Sequence, residues 1–162
     1  MKITVLTAKT KVVFINLFRI SILSLILFFS SCEKEDIFEG IIVKEFNPGH
    51  CLPPFGSEPD EYVITNDSIY QNLLTIEEPV CDDYTLPDID FTTYSLLGKY
   101  TVSNGEVKYY KREVVKDDGG MKYIYNIYLK SKNNKRAEIS MNWVLVPKLQ
   151  AGYGVEFTVE KN

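Results

Sequence analysis

Histidine is nearly absent: His50 stands alone. One imidazole excludes a histidine-rich metal site and leaves no second base of that kind for acid–base catalysis. The sequence also lacks GxSxG, CxxC and a glycine-rich phosphate loop, and with them the nucleophile elbow, the redox pair and the nucleotide cradle. Negative charge is missing from the first 32 residues, where Lys2, Lys9, Lys11 and Arg19 are the only charges. No repeat, heptad or low-complexity stretch stands out. Nor is there an uninterrupted apolar run of the roughly 20 residues that a bilayer span needs. The stretch ISILSLILFF follows Arg19, and extending it back to Val12 takes Arg19 inside.

What is present at that end has the parts of a secretory signal: a basic start, a short apolar run, and the small residues Ser30 and Ser31. An uncleaved N-terminal helix is the alternative. Phe29-Ser30-Ser31-Cys32 resembles the bacterial lipoprotein signal, with the aromatic residue and Ser-Ser-Cys ending seen in lipoproteins of the Bacteroidota. The resemblance implies cleavage before Cys32, a diacylated thiol and an acylated new amino terminus, palmitate being one such chain. Two or more acyl chains hold a protein stably at a membrane, where one binds only marginally. Next, Lys34-Glu35-Asp36 resembles the surface-export signal of Bacteroidota lipoproteins, a lysine followed by two acids. It implies display on the outer face of the outer membrane. A plain solvated tether over residues 32–36 is the alternative.

Residues 1–31 thus read as a signal peptide. The 131 residues from Cys32 onward suffice for one domain with a real core, taken as residues 37–162. The signal holds four of the 18 basic residues and none of the 22 acidic ones, so the remainder carries 14 against 22, a net −8. This argues against nucleic-acid binding, whose footprint is basic. Residues 33–90 hold 15 acidic side chains against two lysines; residues 91–162 hold seven against 12 basic ones. Complementary halves of one domain are expected to pack together, which lowers self-repulsion; a polar molecule with a binding face is the alternative.

Cys51 and Cys81 remain after lipidation and are expected to pair, as an even count does in an exported chain. Cys51 follows His50, but neighbours on an extended strand point to opposite faces, and the surrounding acids disfavour a thiolate. No catalytic residue is assigned. Glu77, Glu78, Asp88 and Asp90 are the carboxylates a hydrolase would need, with nothing to position them as a pair. Asp82, Asp83, Asp88 and Asp90 are weak calcium candidates, hard oxygen ligands without the spacing of a known calcium loop. No metal or cofactor is expected.

Residues 37–46 read as a first strand, 47–61 as turn chemistry, and 62–65 as a short β run. Residues 66–75 suggest a short helix with a Ser68/Gln71 capping box and Ile69, Leu73 and Leu74 toward the core. From residue 92 onward, stretches 92–102, 107–116, 121–130, 137–146 and 153–159 alternate with period two. Asp117-Asp118-Gly119-Gly120 is a hairpin turn in which glycine is expected to supply positive φ. Five such segments predict a mainly β fold, an antiparallel meander forming a small open barrel or sandwich-like domain with one short helix. Tyr109, Tyr110, Tyr123, Tyr125 and Tyr128 fall on two neighbouring strands. Most should pack across strands, but Tyr109 and Tyr110 are adjacent and cannot share a face, so some remain for gripping a glycan or protein.

Residues 86–98 (LPDIDFTTYSLLG) and 142–149 (NWVLVPKL) resemble segments of small Bacteroidota lipoproteins. The order of short helix, acidic loop, Ile-Asp-Phe and β meander is similar to the C-terminal domain of the protease-complex stability subunit family, without that family's Gly-Gly-Tyr loop after Leu97. The expected function is non-enzymatic: a lipid-anchored envelope lipoprotein at the outer membrane, surface-exposed, binding a protein or glycan. The alternatives are a periplasm-facing accessory subunit that stabilises an envelope enzyme, and a carboxylate-dependent hydrolase.

Overall fold

Alternation from residue 94 onward is realised as five strands, which with three shorter ones before them build two four-stranded sheets. The computed structural model describes residues 34–49, 60–73, 81–82 and 84–162. The strands are β1 (Glu35–Gly40), β2 (Lys44–Glu45), β3 (Glu61–Ile64), β4 (Tyr94–Ser103), β5 (Val107–Asp117), β6 (Lys122–Ser131), β7 (Glu138–Pro147) and β8 (Gly154–Lys161), with one helix, α1 (Asp67–Gln71). One sheet runs β1-β5-β6-β8 and the other β2-β7-β4-β3. Neither closes into a barrel, and the domain is sandwich-like.

The connectivity is richer than a meander. β5 and β6 pair across the tight turn at 118–121, and β3 pairs with β4 across a long connection that holds α1. The turns at 104–106 and 132–137 carry the chain from one sheet to the other instead. As a result β4 pairs antiparallel with β7, while β8 returns parallel to β6 and β1 lies parallel to β5. At the hairpin, Gly120 N–H donates to Asp117 Oδ1 at 3.0 Å, and the positive φ falls on Met121 (49°) rather than on a glycine. The first strand also differs from the expected 37–46. Gly40, at φ 71°, lies against the Val114 carbonyl and ends β1, and β2 follows in the other sheet.

Leu96 and Leu97 are both fully buried, although they point to opposite faces. Leu97, Val144 and Val146 face the first sheet and pack with Tyr110, Val114, Tyr125, Ile127 and Leu129. Leu96, Trp143 and Leu145 face the other way, under Phe46, Tyr62, Tyr70, Leu73 and Leu86. The acidic N-terminal half thus supplies a cap over the second sheet. In α1 the N-cap is Asn66, whose side chain accepts from Ile69 N–H at 2.9 Å, in place of the expected Ser68/Gln71 box. Leu73 lies inward as expected, Tyr70 joins it, and Ile69 is exposed; Leu74 lies outside the described residues. Tyr70 then donates its hydroxyl to the Pro87 carbonyl at 2.8 Å.

Candidate functional site

Three of the five clustered tyrosines are core. Tyr110, Tyr123 and Tyr125 are buried between the sheets, and burial pushes the Tyr125 phenol far above its ordinary value. The other two lie on the outer face of the first sheet, separated by the pleat. There Tyr109 stands opposite Lys130, and Lys111 opposite Tyr128. The pattern is a two-by-two checkerboard of rings and ammonium groups. A register irregularity between Val107 and Tyr109 precedes it, and such bulges re-aim the side chains that follow.

These four side chains, with Leu129 and Asn162, line a depression of about 390 Å3, within the usual range for small-ligand sites. Lys111 Nζ lies 2.8 Å from Glu39 and 5.7 Å from the Tyr128 ring centre. The bond to Glu39 holds the Lys111 ammonium above its ordinary range, so it stays charged and is a poor general base. Lys130 is exposed, with no ion pair among the described residues. Two half-exposed rings beside two cations can stack on a flat ligand and hold an anionic or hydroxyl-bearing group. The sequence indicated that some tyrosines face outward but not which ones, nor the lysines opposite them.

The remaining sequence-predicted residues lie elsewhere. Lys34, Glu35 and Asp36 are not a free tether. The compact unit begins at Lys34, and Glu35 and Asp36 open β1, paired with Tyr109 and Tyr110. Lys34 bonds Glu138 and stacks 4.8 Å over the Tyr110 ring. Asp36 accepts from Arg112 Nη1 at 2.7 Å. Arg112 is only 3% exposed, an arginine inside the sandwich. It also donates from Nε to Asn142 Oδ1 at 2.9 Å, and its guanidinium lies 4.6 Å from the Tyr110 ring centre. Asn142 donates in turn to the Thr101 hydroxyl at 2.9 Å and the Lys99 carbonyl at 3.1 Å. This buried polar network was not legible in the sequence.

Cys32, His50, Cys51, Glu77, Glu78 and Asp83 lie outside the described residues. Cys81 is half-buried. Asp82 and Asp88 are exposed. Asp90 is engaged in the turn before β4, accepting from Thr92 N–H at 2.9 Å and the Thr93 hydroxyl at 2.7 Å. Those bonds, the Thr92 hydroxyl foremost, hold its carboxyl below the ordinary range. Among the described residues, no three acidic, cysteine or histidine side chains are grouped to hold a metal, and no helix is long and apolar enough to cross a membrane. No protein-family model, curated protein or solved structure matches the chain. The fold defines the class as a small β-sandwich-like domain.

Proposed function

We propose that this chain is a lipid-anchored lipoprotein of the bacterial outer membrane, displayed at the cell surface, whose domain binds a protein or glycan without catalysis. The observation that carries the anchor is positional: the compact unit begins at Lys34, two residues after Cys32. Acyl chains on Cys32 would hold the sandwich close against the membrane. The Tyr109, Lys111, Tyr128 and Lys130 face supports the binding reading, because it offers stacking and fixed positive charge and no nucleophile with an adjacent base. Docking of Lys34 and Asp36 into the domain favours a triplet that is read by the export system before the domain folds.

Mass spectrometry of the mature amino-terminal peptide tests the anchor; it should begin at Cys32 and carry acyl chains. A pull-down from whole cells tests the binding face. Tyr109→Ser with Tyr128→Ser should lose the captured partner. Capture at the unaltered level would remove the checkerboard as the site.

A further inference from the structure

Among the described residues, one edge of the second sheet is paired over only part of its length. β2 pairs with β7 only at Leu145 and Val144, flanked by bonds from Val43 to the Leu145 carbonyl and from Phe46 to the Trp143 carbonyl. In an antiparallel strand, alternate residues turn both backbone groups toward the same neighbour. Trp143 and Leu145 turn theirs toward β2, so Ile139 and Met141 present theirs along the same edge, beyond the end of β2. Among the described residues nothing pairs with them there.

The side chains at this edge are apolar. On the outer face of the sheet, Ile139 stands opposite Val102, and Met141 opposite Tyr100. Ile139 is 54% exposed and Val102 37% exposed. Natural edge strands are blunted by charge. That device is present on β1 through Glu35 and Glu39, on β2 through Lys44 and Glu45, on β3 through Glu61, and on β8 through Glu156 and Glu160. At the open part of β7 the one acid, Glu138, is drawn to Lys34 and the Val107 N–H.

We propose that this edge pairs with the same edge of a second copy of the chain, antiparallel, about a two-fold axis at Ser140. The edge is self-complementary in that register. Ile139 of one copy and Met141 of the other both turn their backbone groups into the interface, so they form hydrogen-bonded pairs. The side-chain rows then run Val102–Ile139–Met141–Tyr100 across the seam, apolar throughout, and repeat by symmetry. Glu138 meets Asn142, and no like charges oppose. β2 bounds the pairing on each side, so the register cannot slide far. The inference is independent of the membrane anchor and of the tyrosine–lysine face.

The test is disulfide trapping on the full chain. Ser140 and its symmetry mate form a non-hydrogen-bonded pair, about 4.5 Å apart between Cα atoms, within reach of a disulfide. Ser140→Cys under mild oxidation should yield mostly a reducible dimer, whereas Lys108→Cys, exposed on β5, should not. Adding Ile139→Lys, which buries a charge against Met141, should weaken the dimer by about tenfold or more. Sedimentation of the unaltered chain should give twice the monomer mass. A monomer mass, or no more Ser140→Cys dimer than in the Lys108→Cys control, overturns the proposal.

Discussion

Arg112 Nη1 lies 2.7 Å from Asp36 Oδ1, and this contact fastens the first strand of the domain to its interior. The arginine side chain is 4% exposed and the aspartate 32%. Removing one member of a buried pair leaves the other charge without compensation. Asp36→Ala should therefore destabilise the domain. Breaking a fully buried pair costs about 3–5 kcal/mol, and here about 2 kcal/mol is expected because Asp36 is a third open to water. Replacing both, Arg112→Met with Asp36→Leu, should recover only part of that loss, because the buried Asn142 Oδ1 then loses its donor. Urea unfolding of the two variants checks it. The result also bears on the export triplet: Glu35→Ala should leave stability unchanged, so a loss of display in Glu35→Ala reports the signal rather than the fold.

Gly98 is the second point of close fit. A Cβ there would run into the Trp143 ring and the Met141 methyl group. Gly98→Ala should lower stability by about 1–3 kcal/mol through overpacking. Trp143 fluorescence should shift as well, because the ring must move. An unchanged denaturation midpoint and spectrum would contradict this packing.

Stability should fall at both ends of the pH range. Burial alone would raise the Glu138 carboxyl, but the Lys34 ammonium and the Val107 N–H outweigh it and hold the group below its ordinary 4.5. A lowered carboxyl stabilises the fold above the unfolded-state value, and that contribution is lost as pH falls through the folded one. Glu138→Gln should therefore flatten the acid limb of the stability profile. Burial raises the phenols of Tyr70 and Tyr125 above their ordinary 10. Above pH 10 the unfolded chain ionises at these positions before the folded one does, so stability drops there. Tyr125→Phe should shift the alkaline limb upward. It should also cost about 1 kcal/mol at neutral pH for the hydrogen bond to the Asn142 carbonyl.

The Cys51–Cys81 pairing is tested by thiol labelling of the unreduced, unfolded mature chain. No free thiol is expected, and two free thiols would refute the pairing. Closing a loop of about 30 residues contributes roughly 3–4 kcal/mol in the chain-entropy model, so reduction should lower the unfolding midpoint markedly.

Period-two alternation made the long strands legible. Tyr123, Tyr125, Ile127 and Leu129 share a buried face as expected, because a strand half-covered by a partner sheet encodes that face directly. What alternation does not encode is which sheet a strand joins. The turns at 104–106 and 132–137 read as ordinary polar turns, yet both carry the chain across the sandwich. The helix face was misread because Asn66, not Ser68, caps it, and so Tyr70 turns inward where Ile69 was expected. At the site, the impossibility of the adjacent Tyr109 and Tyr110 rings sharing a face turned one of that pair outward, without singling out Tyr128. Lys111 and Lys130 join Tyr109 and Tyr128 only through the β5–β6 register. Arg112 was hidden for a similar reason. A charged residue on an alternating strand reads as solvent-facing, and only the approach of Asp36 and Asn142 gives it partners inside.

The central claim is that Cys32 anchors the domain to the membrane, and fractionation of cells expressing Cys32→Ala tests it most directly. The account predicts that the unaltered chain sediments with membranes and that Cys32→Ala appears in the soluble fraction. Retention of Cys32→Ala on the membrane would contradict it.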